Sequence, residues 1–167
     1  MKKNIRHIII AVAIIAVAVL VMINRQLSLR QEEMADKMQL NFTINGENTV
    51  YYYNDNDENY TTFNTQMKRK NGDIFDKNYS GIFMAAIIED MGVEITDEIS
   101  VSVVCADNYE IQLTGDELMA EENIYLITKE NGEKLAETDG PFMLVINNDE
   151  FSTRWAKNVV RVKINEK

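Results

Sequence analysis

What is scarce in this chain sets its first limits. Of its 167 residues one is cysteine and one is histidine. A lone thiol, Cys105, excludes a disulfide framework and a cysteine-rich zinc site. The lone imidazole, His7, stands at the edge of an N-terminal apolar run. The rest of the chain therefore has none for a Ser-His-Asp triad, a His-ligated zinc or a haem. Positive charge is scarce too: 17 Lys and Arg face 27 Asp and Glu, a formal net charge of −10. Three of those cations, Lys2, Lys3 and Arg6, lie in the first 24 residues, which hold no acid, so residues 25–167 carry a net −13. A phosphate backbone is held by clustered Lys and Arg, so a general nucleic-acid binder is excluded. The same deficit argues against a basic patch docked on anionic lipid. The length sets a prior of one domain, and neither an internal repeat nor a low-complexity run interrupts it.

What is present begins with Ile8 to Ile23, sixteen consecutive apolar residues. As a helix this run spans roughly 24 Å against a hydrocarbon core of about 30 Å. Asn24, Arg25 and Lys3 extend it toward the headgroups. The other reading is the apolar region of a cleaved signal peptide. A cut needs small residues near the end of the run, where Leu20-Val21-Met22-Ile23-Asn24-Arg25 offers none. The expectation is an uncleaved signal anchor over 8–24. The basic, acid-free residues 1–7 stay in the cytoplasm by the positive-inside rule, and the body lies outside it. Residues 25–38 read as a charged helical stalk, with good helix formers and neither Gly nor Pro.

From residue 39 the pattern turns to period two. Leu40, Phe42 and Ile44 alternate with polar residues, Asn45-Gly46 marks a tight turn, and Thr49 to Tyr53 returns. Of Tyr51, Tyr52 and Tyr53, two must share a face. Thr61 to Lys70 is a candidate strand closed by Asn71-Gly72. Ser80 is the expected cap of a helix over Gly81 to Met91, with Gly92 as its stop. Ile99 to Ala106 and Tyr109 to Leu113 form a hairpin, followed by a short helix over Asp116 to Glu121. Strands are expected over Ile124 to Lys129, Phe142 to Ile146 and Val159 to Ile164. The expected class is α+β: a β-rich mixed sheet or barrel-like sandwich with two short helices, occupying 39–167 behind one N-terminal transmembrane helix.

Few residues carry chemistry. Asp55, Asp57 and Asn59 have the spacing of a calcium loop, but Tyr60 stands where that loop needs Gly and Gln66 where it needs an acid. A solvated turn is expected. Glu94, Asp97 and Glu98 have no cleft in sequence to split their pKa values and read as surface charge. If Val101 and Val103 point inward, so does Cys105, with no neighbouring cation to acidify it.

Three stretches in order resemble a known family. Tyr79-Ser-Gly81-Ile-Phe-Met-Ala-Ala-Ile-Ile-Glu-Asp-Met-Gly92-Val93 is similar to the aromatic-x-Gly-Val-x-Leu-x-x-Leu-Leu-x-x-x-Gly helix of the sulfite oxidase-type molybdopterin-binding domain. Ala106-Asp107-Asn108-Tyr109 resembles its Ala/Ser-Asp-Gly-Tyr hairpin. Asn131-Gly132-Glu-Lys-Leu135, Gly140-Pro141-Phe-Met-Leu-Val145 and Arg154-Trp155-Ala-Lys157 resemble its Asn-Gly-x-Pro-Leu, Gly-Pro-x-Arg-Leu-Val and Trp-Val-Lys segments. The resemblance implies a related fold over most of 39–165. In the catalytic family a cysteine upstream of the Gly-Val helix ligates molybdenum, and Arg and His hold the cofactor's phosphate. Here residues 61–78 contain no cysteine, the body contains no histidine, and Met143 replaces the Arg. Cys105 lies downstream and does not take the ligand's place.

The departures speak against the cofactor and the reaction. No residue is assigned as catalytic, cofactor-binding or metal-ligating, and molybdopterin is not expected. The expected function is a membrane-anchored extracytoplasmic binding or structural module without catalysis, with a protein partner in a membrane complex as a further reading. The alternative is a molybdopterin-dependent oxidoreductase, or a redox-complex subunit with a non-standard cofactor site.

Overall fold

The computed structural model describes residues 17–23, 25 and 38–166. Contacts divide the chain into two units, Met1–Lys37 and Met38–Lys167. In the first, residues 17–23 and 25 are helical and exposed. Most of the expected span over 8–24, and residues 26–37 of the expected stalk over 25–38, lie outside the described residues. Among the described residues no helix is long and apolar enough to cross a membrane.

The second unit is two sheets around one core. The first sheet has the order β2-β1-β10-β5-β6, from β1 (Gln39–Ile44), β2 (Glu47–Tyr52), β5 (Ser100–Cys105), β6 (Glu110–Thr114) and β10 (Val159–Asn165). It is mixed, because β1 pairs in parallel with β10 and the other neighbours are antiparallel. The second sheet has the order β3-β4-β7-β8, from β3 (Tyr60–Lys68), β4 (Ile74–Phe83), β7 (Ile124–Glu130) and β8 (Glu133–Lys134), with β9 (Met143–Ile146) also on β7. Leu40, Phe42, Val101, Val103, Ile111, Leu113, Val162 and Ile164 of the first sheet meet Ile82, Leu126, Leu144 and Ile146 of the second. Helix α1 (Met84–Asp90) adds Met84, Ile87 and Ile88, and α2 (Gly115–Met119) adds Leu118. No strand pairing joins the two sheets among the described residues, so the barrel-like expectation is corrected to two open sheets.

Several local expectations change. β4 has ten residues, most of which the sequence pattern left without an element. It also takes the first turn of the expected helix: Gly81 and Ile82 pair with Ile127 and Leu126 of β7, so α1 starts at Met84. Ser80 caps nothing. It is buried in β4, its hydroxyl 2.8 Å from that of Thr62, and α1 has Phe83 at its N-cap with no side-chain bond. The second helix starts one residue early, at Gly115, because Thr114 and Glu117 close a capping box. A third short helix, a 3-10 turn over Ser152–Arg154, was not expected.

Gly81 marks where β4 and β7 come closest. A Cβ there would lie 2.3 Å from the Leu126 carbonyl oxygen and 2.6 Å from the Ile127 Cα. Both contacts are backbone, so neither can swing aside. The register shifts at this point, leaving Thr128 as the extra residue of a bulge. Replacing Gly81 with Ala should therefore cost about 1–3 kcal/mol by overpacking alone, read as a lower denaturant midpoint at unchanged slope. Unchanged stability would mean the strands can separate at no cost.

Candidate functional site

The acidic loops are internally occupied. In the turn after β2, Asn54 Oδ1 accepts from the Asn56 N–H at 3.1 Å and Asp57 Oδ1 from the Asn59 N–H at 2.8 Å. Asp55 pairs with Lys129 at 2.5 Å. These are turn-forming contacts that bend the chain and use the carboxylates that would otherwise face a cation. Glu94, Asp97 and Glu98 are exposed in the loop before β5. Among the described residues no group of three or more His, Cys, Asp or Glu could hold a metal ion.

Four cations besides Lys129 are engaged as well. Arg154 bridges Asp149 and Glu117, the latter at 2.6 Å. Lys77 pairs with Glu130 at 2.6 Å, Lys157 with Asp139 at 2.5 Å and Lys163 with Glu110 at 3.3 Å. The Arg154 group ties the 3-10 turn to α2 across the open end of the sheets. Its two carboxylates raise the guanidinium's pKa, so it stays fully charged. Burial pushes the Glu117 carboxyl up, but hydrogen bonds from Arg154 and Thr114 outweigh it and leave the pKa below the ordinary 4.5.

The thiol faces inward. Cys105 is 4% exposed beside Val101 and Val103, and burial pushes its pKa up. A neutral buried thiol is a poor metal ligand. Tyr53 also faces the core, and its hydroxyl accepts from Thr128 at 3.2 Å. Tyr51 is half-buried on the same face, with its pKa pushed up to about 12 by burial, while Tyr52 points out.

Met143, at the position where the resemblance expects Arg, sits in a second apolar cluster on the outer face of the second sheet. That cluster holds Tyr79, Tyr125, Ile127 and Val145, edged by Phe63, Phe83, Leu135 and Trp155. Phe63 stacks on Tyr125 at 3.9 Å, and Tyr79 meets Trp155 edge-on at 6.0 Å. An anion held there would lose its hydration without gaining a donor. The thiol in the core, the apolar side chain for Arg and the engaged cations do not fit the family's molybdenum cofactor.

An open hollow of about 520 Å³ lies on the β3–β4 hairpin, lined by Asn64, Thr65, Gln66, Asp76, Lys77, Asn78 and Asn131. Its groups pair across the strands: Asn78 Nδ2 donates to Asn64 Oδ1 at 2.9 Å, and Gln66 Nε2 to Asp76 Oδ1 at 3.0 Å. These amides and one acid offer hydrogen bonds to a polar ligand, while the Thr65 hydroxyl and the Lys77 ammonium are turned to Asn147 and Glu130. Sequence reasoning missed this surface because it left β4 unassigned; the signal was the matched polar alternation of Asn64, Gln66 and Asp76, Asn78 around the Asn71-Gly72 turn.

Two outcomes follow from these environments. Native Cys105 should resist thiol reagents until the protein unfolds, and Cys105→Ser should cost about 1–3 kcal/mol; rapid native labelling would contradict its burial. Because the folded Glu117 pKa is depressed, its contribution is present above about pH 4.5 and lost as pH falls through the folded value. Arg154→Met should thus lower stability at pH 7 by about 1–2 kcal/mol, since the group is partly exposed, and by less near pH 3. Equal losses at both pH values would remove the ion pairs from the account.

Twenty-six chains of solved structures match this fold. One is the sulfane dehydrogenase SoxCD from Paracoccus pantotrophus, with a TM-score of 0.62 and 18% identity, covering 77% of this chain and 38% of that chain. At that identity the likeness is one of fold, and this chain spans well under half of the larger one. No curated protein matches the sequence. The family model described as oxidoreductase molybdopterin binding domain matches residues 15–167. That match embraces all three stretches singled out in the sequence, and on it this chain belongs to the oxidoreductase molybdopterin binding domain family.

Proposed function

We propose that this chain is a membrane-anchored extracytoplasmic binding or structural module that keeps the family's fold without its catalysis. The observation that carries the reading is the exchange at Met143, where an apolar side chain fills a closed aromatic cluster at the position expected to hold a cation. The inward-facing Cys105, buried in the main core, supports it as well. The polar hollow on the β3–β4 hairpin supports binding through hydrogen bonds, with a protein partner in the same membrane as its expected ligand. The anchor is supported by the apolar run Ile8 to Ile23 and by the helical residues 17–23 within it, where Leu20 and Met22 are 64% and 71% exposed. Side chains of that kind in water carry a hydrophobic cost that a bilayer removes.

The test uses the full chain purified from membranes. Elemental analysis should find molybdenum far below one equivalent, and acid oxidation should release no fluorescent pterin. One equivalent of either would overturn the non-catalytic reading. The chain should also remain in the pellet after a carbonate wash, with its body open to protease added outside intact cells. Release as a soluble fragment beginning near residue 25 would overturn the anchor.

A further inference from the structure

The β3–β4 hairpin runs for nine paired positions, from Tyr60 opposite Ile82 to Lys68 opposite Ile74. Its base is built into the protein, with Ile82 and Tyr79 buried, but every residue from Lys68 to Asp76 is exposed. The arm is braced along its length: Thr65 donates to Asn147 Oδ1 at 2.9 Å, and at the last paired position the Lys68 N–H donates to Ser152 Oγ at 2.9 Å, which leaves residues 69–75 beyond the bracing. At its end two kinds of residue meet. Ile74 and Phe75 are 58% and 40% exposed, and Ile74 is the most exposed large apolar side chain among residues 38–166. Lys68, Arg69 and Lys70 stand beside them, with the Arg69 guanidinium 4.8 Å above the Phe75 ring. Arg69 also approaches Asp73 at 4.0 Å, but both side chains are half exposed and the pair is weak.

We propose that this tip, residues 67–75, is a second membrane contact that seats on an anionic phospholipid surface. Residues 67–75 carry three cations and one acid, net +2, whereas residues 38–167 as a whole carry 11 cations and 24 acids. The remainder is therefore net −15. An anionic surface repels that remainder and attracts the tip, so approach is end-on. There the ammonium and guanidinium groups meet phosphates while Ile74 and Phe75 enter the interface, the division of labour of an interfacial anchor. The average charge that argued against a lipid-binding patch conceals this separation. The occupant is the bilayer of the chain's own anchor, and in this the proposal rests on the anchor reading. Only residues 24–37 separate the apolar run from residue 38, a reach of at most about 50 Å, so on the anchor reading the body stays within reach of that surface.

The experiment places a polarity-sensitive fluorophore on an Asn71→Cys variant of the full chain. The unsubstituted chain, labelled in parallel, supplies the Cys105 background. The labelled protein is reconstituted in phosphatidylcholine vesicles and in vesicles with about 30% phosphatidylglycerol. The expected result is a blue-shifted emission, quenched by spin-labelled lipid, in the anionic vesicles only. Reversing Lys68, Arg69 and Lys70 to Glu should reduce the bound fraction more than about tenfold, since each basic residue near such a surface contributes roughly a factor of five. Ile74→Ser with Phe75→Ser should abolish the quenching and leave the unfolding midpoint unchanged. A probe that reports water in both vesicles overturns the proposal, as does a shift that needs an added acidic protein instead of lipid. Flotation separates this from the anchor: a chain that floats on neutral vesicles with its probe in water keeps the anchor and loses the tip contact. A chain that fails to float there but shifts with anionic lipid does the reverse.

Discussion

Because Ile124 and Leu126 of β7 face the inter-sheet core while Tyr125 and Ile127 face the opposite way, all at 3% exposure or less, the second sheet must be covered on both sides. A strand that buries four consecutive large side chains gains about 1.5–3 kcal/mol from each, but only if both faces find apolar partners. The first sheet and α1 supply one side. Tyr79, Met143, Val145, Phe63 and Trp155 supply the other. Double burial explains why β4 must come close enough at Gly81 to exclude any Cβ. It explains the bulge at Thr128 too, which ends the doubly buried stretch and turns a hydroxyl toward Tyr53. Trp155 completes the outer layer, its indole N–H satisfied by the Ile146 carbonyl at 2.9 Å. A cationic side chain at position 143 would break that layer, so the apolar residue there serves the covering of the sheet.

The sequence showed period two wherever one face of a strand meets water. β1, β5, β6 and β10 read correctly because their outer faces are polar, as Asn41, Ser102, Gln112 and Lys163 attest. β4 did not read as a strand because its two faces change character along its length, from Ile74 and Phe75 at the exposed tip to Tyr79 and Ile82 in the cores. Gly81 and Ile82 looked helical for the same reason: small and apolar residues at the boundary of a strand and a helix satisfy both periods, and the pairing with β7 decides between them. Cys105, the shared face of two of the three tyrosines 51–53 and the solvated turn at 54–59 were legible because alternation and turn chemistry are local. The hairpin hollow and the Met143 cluster were not, since each joins residues from strands distant in the chain.

Electrostatics divides the surface more sharply than the composition suggests. In an acidic protein each cation has many carboxylates to choose from, and Lys77, Lys129, Arg154, Lys157 and Lys163 each find one. The pairs span different elements and are at least partly exposed, so each adds little stability. Charge neutralised in this way is unavailable to a phosphorylated ligand. Lys68 and Lys70, exposed at the hairpin tip, form no ion pair among the described residues.

Catalytic chemistry and fold therefore have separate supports in this chain. The fold rests on β7 and on the apolar layers either side of it, where an added apolar side chain is tolerated and an unpaired polar one is not. A site for a charged cofactor needs the opposite: donors and ligands held at the edge of those layers and left without internal partners. Positions that drift toward apolar residues or toward ion pairs lower the free energy of the fold while removing such donors. Met143 lies in an aromatic cluster and Arg154 is held by two carboxylates, so neither side chain is left as a free donor. On the β3–β4 hairpin Asn64 and Asn78, and Gln66 and Asp76, bond each other across the strands, while Lys68 and Lys70 stand exposed at the tip.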